Sequence, residues 1–167
     1  MGTVNKLCIK GIVRNEATLV ELPNGEGAVY EFTFGTQRMS GAWDELIVQC
    51  DVNTLLESPV KVEVGETITI YGETRIYRDY SNGMKSTMCA FATTITDETD
   101  SEKPFIDMVR FEGELGMAPL LRKTLAGNKV AEFRIKHKKN KRKYAVTCVA
   151  WNSCADFMRS MQRATGF

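Results

Sequence analysis

Alternation of apolar and polar residues along most of the chain predicts β-strands. The first three predicted strands cover residues 6–13, 28–36 and 43–52, and a short helical turn follows the third. Two longer runs, over 67–80 and 85–96, flank an Asn-Gly turn signal and predict a long hairpin. The pattern therefore predicts an all-β fold with little helix.

The same pattern begins again after residue 104, which indicates an internal repeat. A glycine lies inside the first predicted strand of each copy, where it is typical of a bend. The matched positions are Gly11 with Gly113, Gly25 with Gly127, Glu31-Phe32 with Glu132-Phe133, and Val48–Cys50 with Val146–Cys148. The two copies therefore correspond strand for strand as far as the third strand.

The second copy has no counterpart of the long hairpin. Its third strand is followed instead by a helical pattern of apolar residues, namely Cys154, Phe157, Met158 and Met161. Between the copies, the stretch from Asp97 to Pro104 holds four carboxylates and a proline, as expected of a linker. We therefore predict a first domain over 1–96, an acidic linker over 97–104 and a second, incomplete domain over 105–167.

A run of cations lies between the second and third strands of the second copy. It comprises Lys136, Lys138, Lys139, Lys141, Arg142 and Lys143, and no Asp or Glu lies between Arg134 and Lys143. We interpret residues 133–151 as a hairpin whose loop end is strongly cationic. Two explanations stay open: a solvated surface loop that only aids solubility, or a site for a polyanion, of which nucleic acid is the commonest.

The formal net charge of +1 conceals an uneven distribution. Residues 1–95 contain 8 basic and 12 acidic side chains, and residues 96–104 contain 1 and 4. Residues 105–167 contain 13 basic and 5 acidic side chains. The second half of the chain is therefore the part expected to contact a polyanion.

Other chemistries find little support in the sequence. No apolar run of about 18 residues and no signal peptide is present, so we expect a cytoplasmic protein that does not enter a membrane. The single histidine, His137, is most simply a further polar group of the cationic loop, and no Ser-His or Cys-His nucleophile is expected. We predict no metal, no cofactor and no enzymatic activity. The five cysteines have no Cys-x-x-Cys spacing and are predicted to be small core residues.

The predicted elements describe a small Greek-key barrel of the OB type, with five strands and a short helix after the third. The run C-V-A-W-N-S-C-A-D-F-M from Cys148 resembles the third strand and following helix of bacterial single-stranded DNA-binding proteins. The run G-E-T-R-I-Y-R-D-Y-S-N-G from Gly72 resembles that family's fourth strand and basic-aromatic hairpin, and both repeats open like its first two strands. The resemblance implies tandem OB-fold barrels with a short helix per repeat, the second lacking its last two strands.

The resemblance also implies sequence-independent binding of single-stranded DNA in replication, recombination, repair or transfer, by cations that contact phosphates and aromatic rings that stack on bases. The second-copy candidates are Arg134, Lys136, Lys138, Lys139, Lys141, Arg142, Lys143, Tyr144 and Trp151. The first-copy candidates are Arg38, Trp43, Arg75, Tyr77, Arg78, Tyr80 and Lys85. Phe32, Phe34, Phe91 and Phe133 alternate along strands and are expected in the core.

Four barrels form the working unit in the family, so a chain of two barrels is expected to form a homodimer, with the open edge of the second copy as the meeting point. Replication or recombination proteins are further expected partners. Two alternatives stay open: an accessory factor of the replisome or a helicase, whose first domain binds protein, and an RNA-binding OB module.

Overall fold

The computed structural model describes residues 4–22, 25, 27–79, 85–97, 102–139 and 142–164. The chain divides into two compact units. The first unit is Asn5–Phe111, and the second comprises Val4 and residues 112–164 of the described chain. Neither helix in the described part of the chain has the length and apolar content needed to cross a membrane.

The first unit is a closed barrel. Its elements are β1 (Asn5–Val13), β2 (Thr18–Glu21), β3 (Ala28–Gln37), β4 (Trp43–Cys50), α1 (Val52–Leu56), β5 (Thr67–Asp79), β6 (Lys85–Thr96) and β7 (Ile106–Phe111). The sheet order is β2-β3-β4-β6-β5-β1-β7, and a further pairing between β1 and β3 closes five of these strands into a ring. All pairings are antiparallel except that of β4 with β6. This is the strand order of an OB-type Greek-key barrel, so the predicted fold class is confirmed.

The barrel closes because β1 pairs with β5 along most of its length and with β3 at its end. A Cβ atom at Gly11 would lie 2.1 Å from the carbonyl oxygen of Gly35, so only glycine permits this approach. Phe32 and Phe34 are buried inside the barrel, as the alternation predicts.

The second unit is a sheet covered by one helix. Its elements are β8 (Glu114–Leu115), β9 (Leu120–Lys123), β10 (Lys129–Lys139), β11 (Arg142–Trp151) and α2 (Ser153–Ala164). Strand β10 pairs with β11, β8 and β9, all antiparallel. A Cβ atom at Gly113 would lie 2.1 Å from the carbonyl oxygen of Lys136, which repeats the contact between Gly11 and Gly35. The described part of this unit has no strands equivalent to β5 and β6, as predicted.

Helix α2 packs Ala155 and Met158 onto the sheet, against Ala131, Phe133 and Ala150. The helix itself is predicted by the sequence, but of the four apolar residues at helical spacing only Met158 is buried. Cys154, Phe157 and Met161 are exposed, and the small Ala155 takes the buried position instead. An alanine carries a weak hydrophobic signal, which explains why the pattern missed it.

Strand register corrects the alignment of the two copies. Phe32 lies opposite Val48, and Phe133 lies opposite Cys148, so Val48 corresponds to Cys148 and not to Val146. The predicted alignment of the third strands is therefore wrong by two residues. The short strands β2 and β9, which occupy equivalent positions, were not predicted because four-residue strands carry too few alternations.

Strand β7 opens the second copy in sequence but pairs with β1, with Met108 opposite Cys8. Along the chain, the boundary between the two compact units therefore lies between Phe111 and Glu112. The proposed linker at 97–104 stays a prediction, since residues 98–101 lie outside the described chain.

The cysteines follow the core prediction only in part. Cys50 and Cys89 are buried, and burial raises the pKa of the Cys50 thiol to about 11 and that of Cys89 to about 12. Cys8 and Cys148 are half-buried, whereas Cys154 is exposed, so the prediction is wrong for that residue.

Candidate nucleic-acid interface

The described residues of the cationic run lie on paired strands. The ladder between β10 and β11 extends from Val130 opposite Trp151 to Lys139 opposite Arg142. Only Asn140 and Lys141 separate the two strands, and both lie outside the described residues. The predicted hairpin is present and its loop end carries cations, but the strands do not stop before the lysines and continue through them.

Strand geometry places four of the cations on one face of the hairpin. Side chains alternate between the two faces of a strand, and Arg134, Lys136 and Lys138 of β10 are all exposed. Lys143 of β11 lies directly opposite Lys138 and is exposed as well. Successive members of the β10 row are about 7 Å apart at a rise of about 3.4 Å per residue. We call the surface formed by these four residues the cationic row.

Like charges directly opposite one another destabilise a sheet. The hairpin contains two such cross-strand pairs, Lys138 with Lys143 and Lys139 with Arg142. For Lys139 and Arg142 the structure describes the backbone alone. A polyanion laid along the cationic row would relieve this repulsion.

The two predicted stacking residues of this hairpin have different surroundings. Trp151 ends β11 on the same face as the cationic row and is 53% exposed. Tyr144 is half-buried, and its ring centroid lies 5.4 Å from that of His137. His137 is buried, with Nδ1 3.0 Å from the carbonyl oxygen of Glu112, so its interpretation as a polar loop residue is wrong. Trp151 is thus the ring that this face offers to a ligand.

Exposed apolar side chains and one carboxylate share the sheet face of Trp151. Leu120 of β9 and Val149 of β11 lie on either side of Glu132 in the sheet and are both exposed. The carboxylate of Glu132 lies 3.9 Å from the guanidinium of Arg122. Leu120, Arg122 and Glu132 were not identified from the sequence, because only the register places them beside Trp151.

In the first unit, Trp43 is 40% exposed and is contacted by the chain itself. The guanidinium of Arg14 lies 4.5 Å from the centre of its ring. The ring of Phe105 lies 5.1 Å away at an interplanar angle of 71°. Nearby, Arg38 forms an ion pair with Asp44, and the hydrogen bonds that it donates lower the pKa of the Asp44 carboxyl.

Arg75 is also engaged within the first unit. Its Nε donates a hydrogen bond of 2.7 Å to Glu73, and its guanidinium lies 3.4 Å from the centre of the Phe91 ring. Tyr77, Arg78 and Lys85 lie on β5 and β6, with side chains outside the described part, and Tyr80 lies outside it entirely. The described cations predicted in this unit therefore have intramolecular carboxylate partners.

Equivalent positions of the two units differ in charge. Glycine contacts and register align β3 with β10, so that Thr33, Gly35 and Gln37 correspond to Arg134, Lys136 and Lys138. The residues at these positions are therefore uncharged in the first unit and cationic in the second, and the guanidinium of Arg14 lies over Gly35. Glu31 corresponds to Glu132, but it accepts a hydrogen bond of 2.9 Å from Gln49.

Within the described residues, no three His, Cys, Asp or Glu side chains come together in a group that could hold a metal ion. Buried Cys50 and Cys89 have thiols with raised pKa values, so they are poor nucleophiles. The chemistry offered by the hairpin is electrostatic attraction, stacking and hydrogen bonding.

A scan against protein-family models found no match, and a search of the curated proteins also found none. Among solved structures, the chain is similar to the wild-type single-stranded DNA-binding protein from Thermus aquaticus, with a TM-score of 0.71 and 18% sequence identity. The match covers 95% of this chain and 79% of that one. A deletion mutant of the same protein gives a TM-score of 0.70 at 18% identity, covering 95% of this chain and 80% of that one. At this identity the likeness establishes the shared fold.

Proposed function

We propose that this chain binds single-stranded DNA without strong sequence preference, through the outward face of β10 and β11. The observation that carries this proposal is the cationic row, which leads along one face of the sheet toward the exposed ring of Trp151. A strand of nucleic acid presents a periodic line of phosphates and unstacked bases, and this face offers a partner for each. The similarity to a Thermus aquaticus protein named for single-stranded DNA binding supports the same choice.

In this proposal, binding proceeds by capture and not by catalysis. The cations attract the strand and displace its condensed counterions, and Trp151 then stacks on a base. The bound strand is thereby protected or organised during replication, recombination, repair or transfer.

A salt titration tests the function. The affinity for fluorescent oligo(dT) should fall steeply as salt rises, since each neutralised phosphate of a single strand contributes about 0.7 to the slope of log K against log [salt]. Replacing Lys136, Lys138 and Lys143 with Gln should lower the affinity and reduce that slope by about 2. No binding to oligo(dT), or a flat response to salt, contradicts the proposal.

The control variant removes the same charge from the first unit. Lys6, Lys61 and Lys103 are exposed there, and their replacement with Gln should leave the slope within about 0.7 of the parent value. If the two triple variants behave alike, the cationic row is a solvated surface and long-range charge alone explains the binding.

A second candidate function is favoured by the first unit. Its Arg38 and Arg75 are paired with carboxylates, and the strand positions equivalent to Arg134, Lys136 and Lys138 carry uncharged residues. These features suit an accessory factor whose first unit binds a replication or recombination protein while its second unit holds the strand. An RNA-binding module is separated from both by comparing oligo(dT) with oligo(U) at equal salt.

A further inference from the structure

We propose that Glu132 reads the edge of a base stacked beside it and favours bases that carry an exocyclic amino group, cytosine above thymine. The proposal rests on the proposed function, because it concerns the same face of the second unit. It adds a modest base preference to binding that is otherwise insensitive to sequence.

The position of Glu132 is defined by register. It lies on β10 directly opposite Val149 of β11, and Trp151 lies two residues further along β11 on the same face. Directly opposite residues have Cβ atoms about 5 Å apart and diagonal neighbours about 7 to 8 Å apart, within the reach of a tryptophan and a glutamate. A base stacked on Trp151 therefore has its edge near this carboxylate.

The surroundings of Glu132 suit a base better than a phosphate. Leu120 is 64% exposed and Val149 is 48% exposed, so the carboxylate lies between two apolar surfaces. A carboxylate repels phosphate, whereas flat bases cover apolar surface favourably. The strand's phosphates therefore follow Arg134, Lys136 and Lys138, and its bases turn toward Glu132.

The carboxylate retains its capacity to accept hydrogen bonds. Its Oε2 lies 3.9 Å from Nη2 of Arg122, which is longer than a hydrogen bond, and the side chain is 44% exposed. An ionised carboxylate accepts hydrogen bonds and donates none. Cytosine presents its N4 amino group to such an acceptor, whereas thymine presents the O4 oxygen at the equivalent position.

The experiment compares oligo(dC) with oligo(dT) of equal length by fluorescence anisotropy. Both are pyrimidines, so their stacking areas are matched and the base edge is the main difference. The parent should bind oligo(dC) roughly fivefold tighter, as expected for one net hydrogen bond. In Glu132→Gln the ratio of the affinities for oligo(dC) and oligo(dT) should fall to about one, since a glutamine amide both donates and accepts hydrogen bonds.

Glu114→Gln is the matched control, because Glu114 lies opposite Lys136 on the same face and removing its charge affects all strands equally. It should strengthen binding to both oligonucleotides and leave their ratio unchanged. Equal affinity for the two in the parent, or an unchanged ratio in Glu132→Gln, overturns the proposal and leaves Glu132 as a partner of Arg122. Failure of every variant and of the parent to bind either oligonucleotide overturns the proposed function itself.

Discussion

Trp43 and Trp151 differ in what already contacts their rings. Arg14 lies over Trp43 and Phe105 packs against it at 5.1 Å, whereas Trp151 is the more exposed of the two. A ring that is occupied by the chain must lose those contacts before a base can stack on it. Stacking in this protein is therefore expected to depend on Trp151.

Substitution of each tryptophan tests this difference. Trp151→Ala should weaken binding to oligo(dT) by about 1 to 3 kcal/mol, the usual contribution of one stacked base, and should leave the salt slope unchanged because no cation is removed. Trp43→Ala should change the affinity by less than about 0.5 kcal/mol. Anisotropy titrations at two salt concentrations measure both quantities. Equal losses in the two variants would mean that the first unit also stacks bases.

At the scale of single elements, the alternation of apolar and polar residues identified the hairpin of β10 and β11, but it did not show where these strands end. The sequence correctly predicted that Phe32 and Phe34 lie in the core, because strongly apolar residues alternate with more polar ones in this stretch. The extension of β10 and β11 through the lysines was missed, since Lys has a weak β preference and like charges repel across the ladder.

The remaining features of the site depend on contacts that are distant in sequence. The surroundings of Glu132 depend on Val149, which lies opposite it on β11. Those of Trp43 depend on Phe105, which packs against its ring. No local pattern encodes either contact. The cations, the repeat and Trp151 could therefore be found from the sequence, whereas the partners of Trp43 and Glu132 could not.

Helix α2 gives an element-scale prediction with an internal control. Met158 is 8% exposed and packs against the sheet, and Met161 on the same helix is 43% exposed. Met158→Ala should lower the free energy of unfolding by about 2 kcal/mol or more, from lost burial and the cavity left behind. Met161→Ala should cost less than about 1 kcal/mol. Urea unfolding followed by circular dichroism distinguishes them, and equal costs would show that α2 does not pack through Met158.

At the scale of the whole molecule, the sheet of the first unit closes into a barrel, whereas the described sheet of the second unit does not close. In the first unit β4 pairs with β3 on one side and β6 on the other. Its counterpart β11 pairs with β10 and is the terminal strand of its sheet among the described residues. An unpaired strand edge favours pairing with another chain, and we propose that a second copy of this chain supplies that partner.

Mass in solution tests this proposal. Light scattering of the protein without DNA should give twice the chain mass of 18.7 kDa over a range of protein concentrations. The triple Gln variant at Lys136, Lys138 and Lys143 should keep the same mass while binding DNA more weakly, since its substitutions lie on the face of the sheet and not along the edge of β11. A dimer that dissociates in this variant would place the subunit contact on the cationic row. The mass of a single chain at every concentration would contradict the proposal that a second copy pairs with the edge of β11.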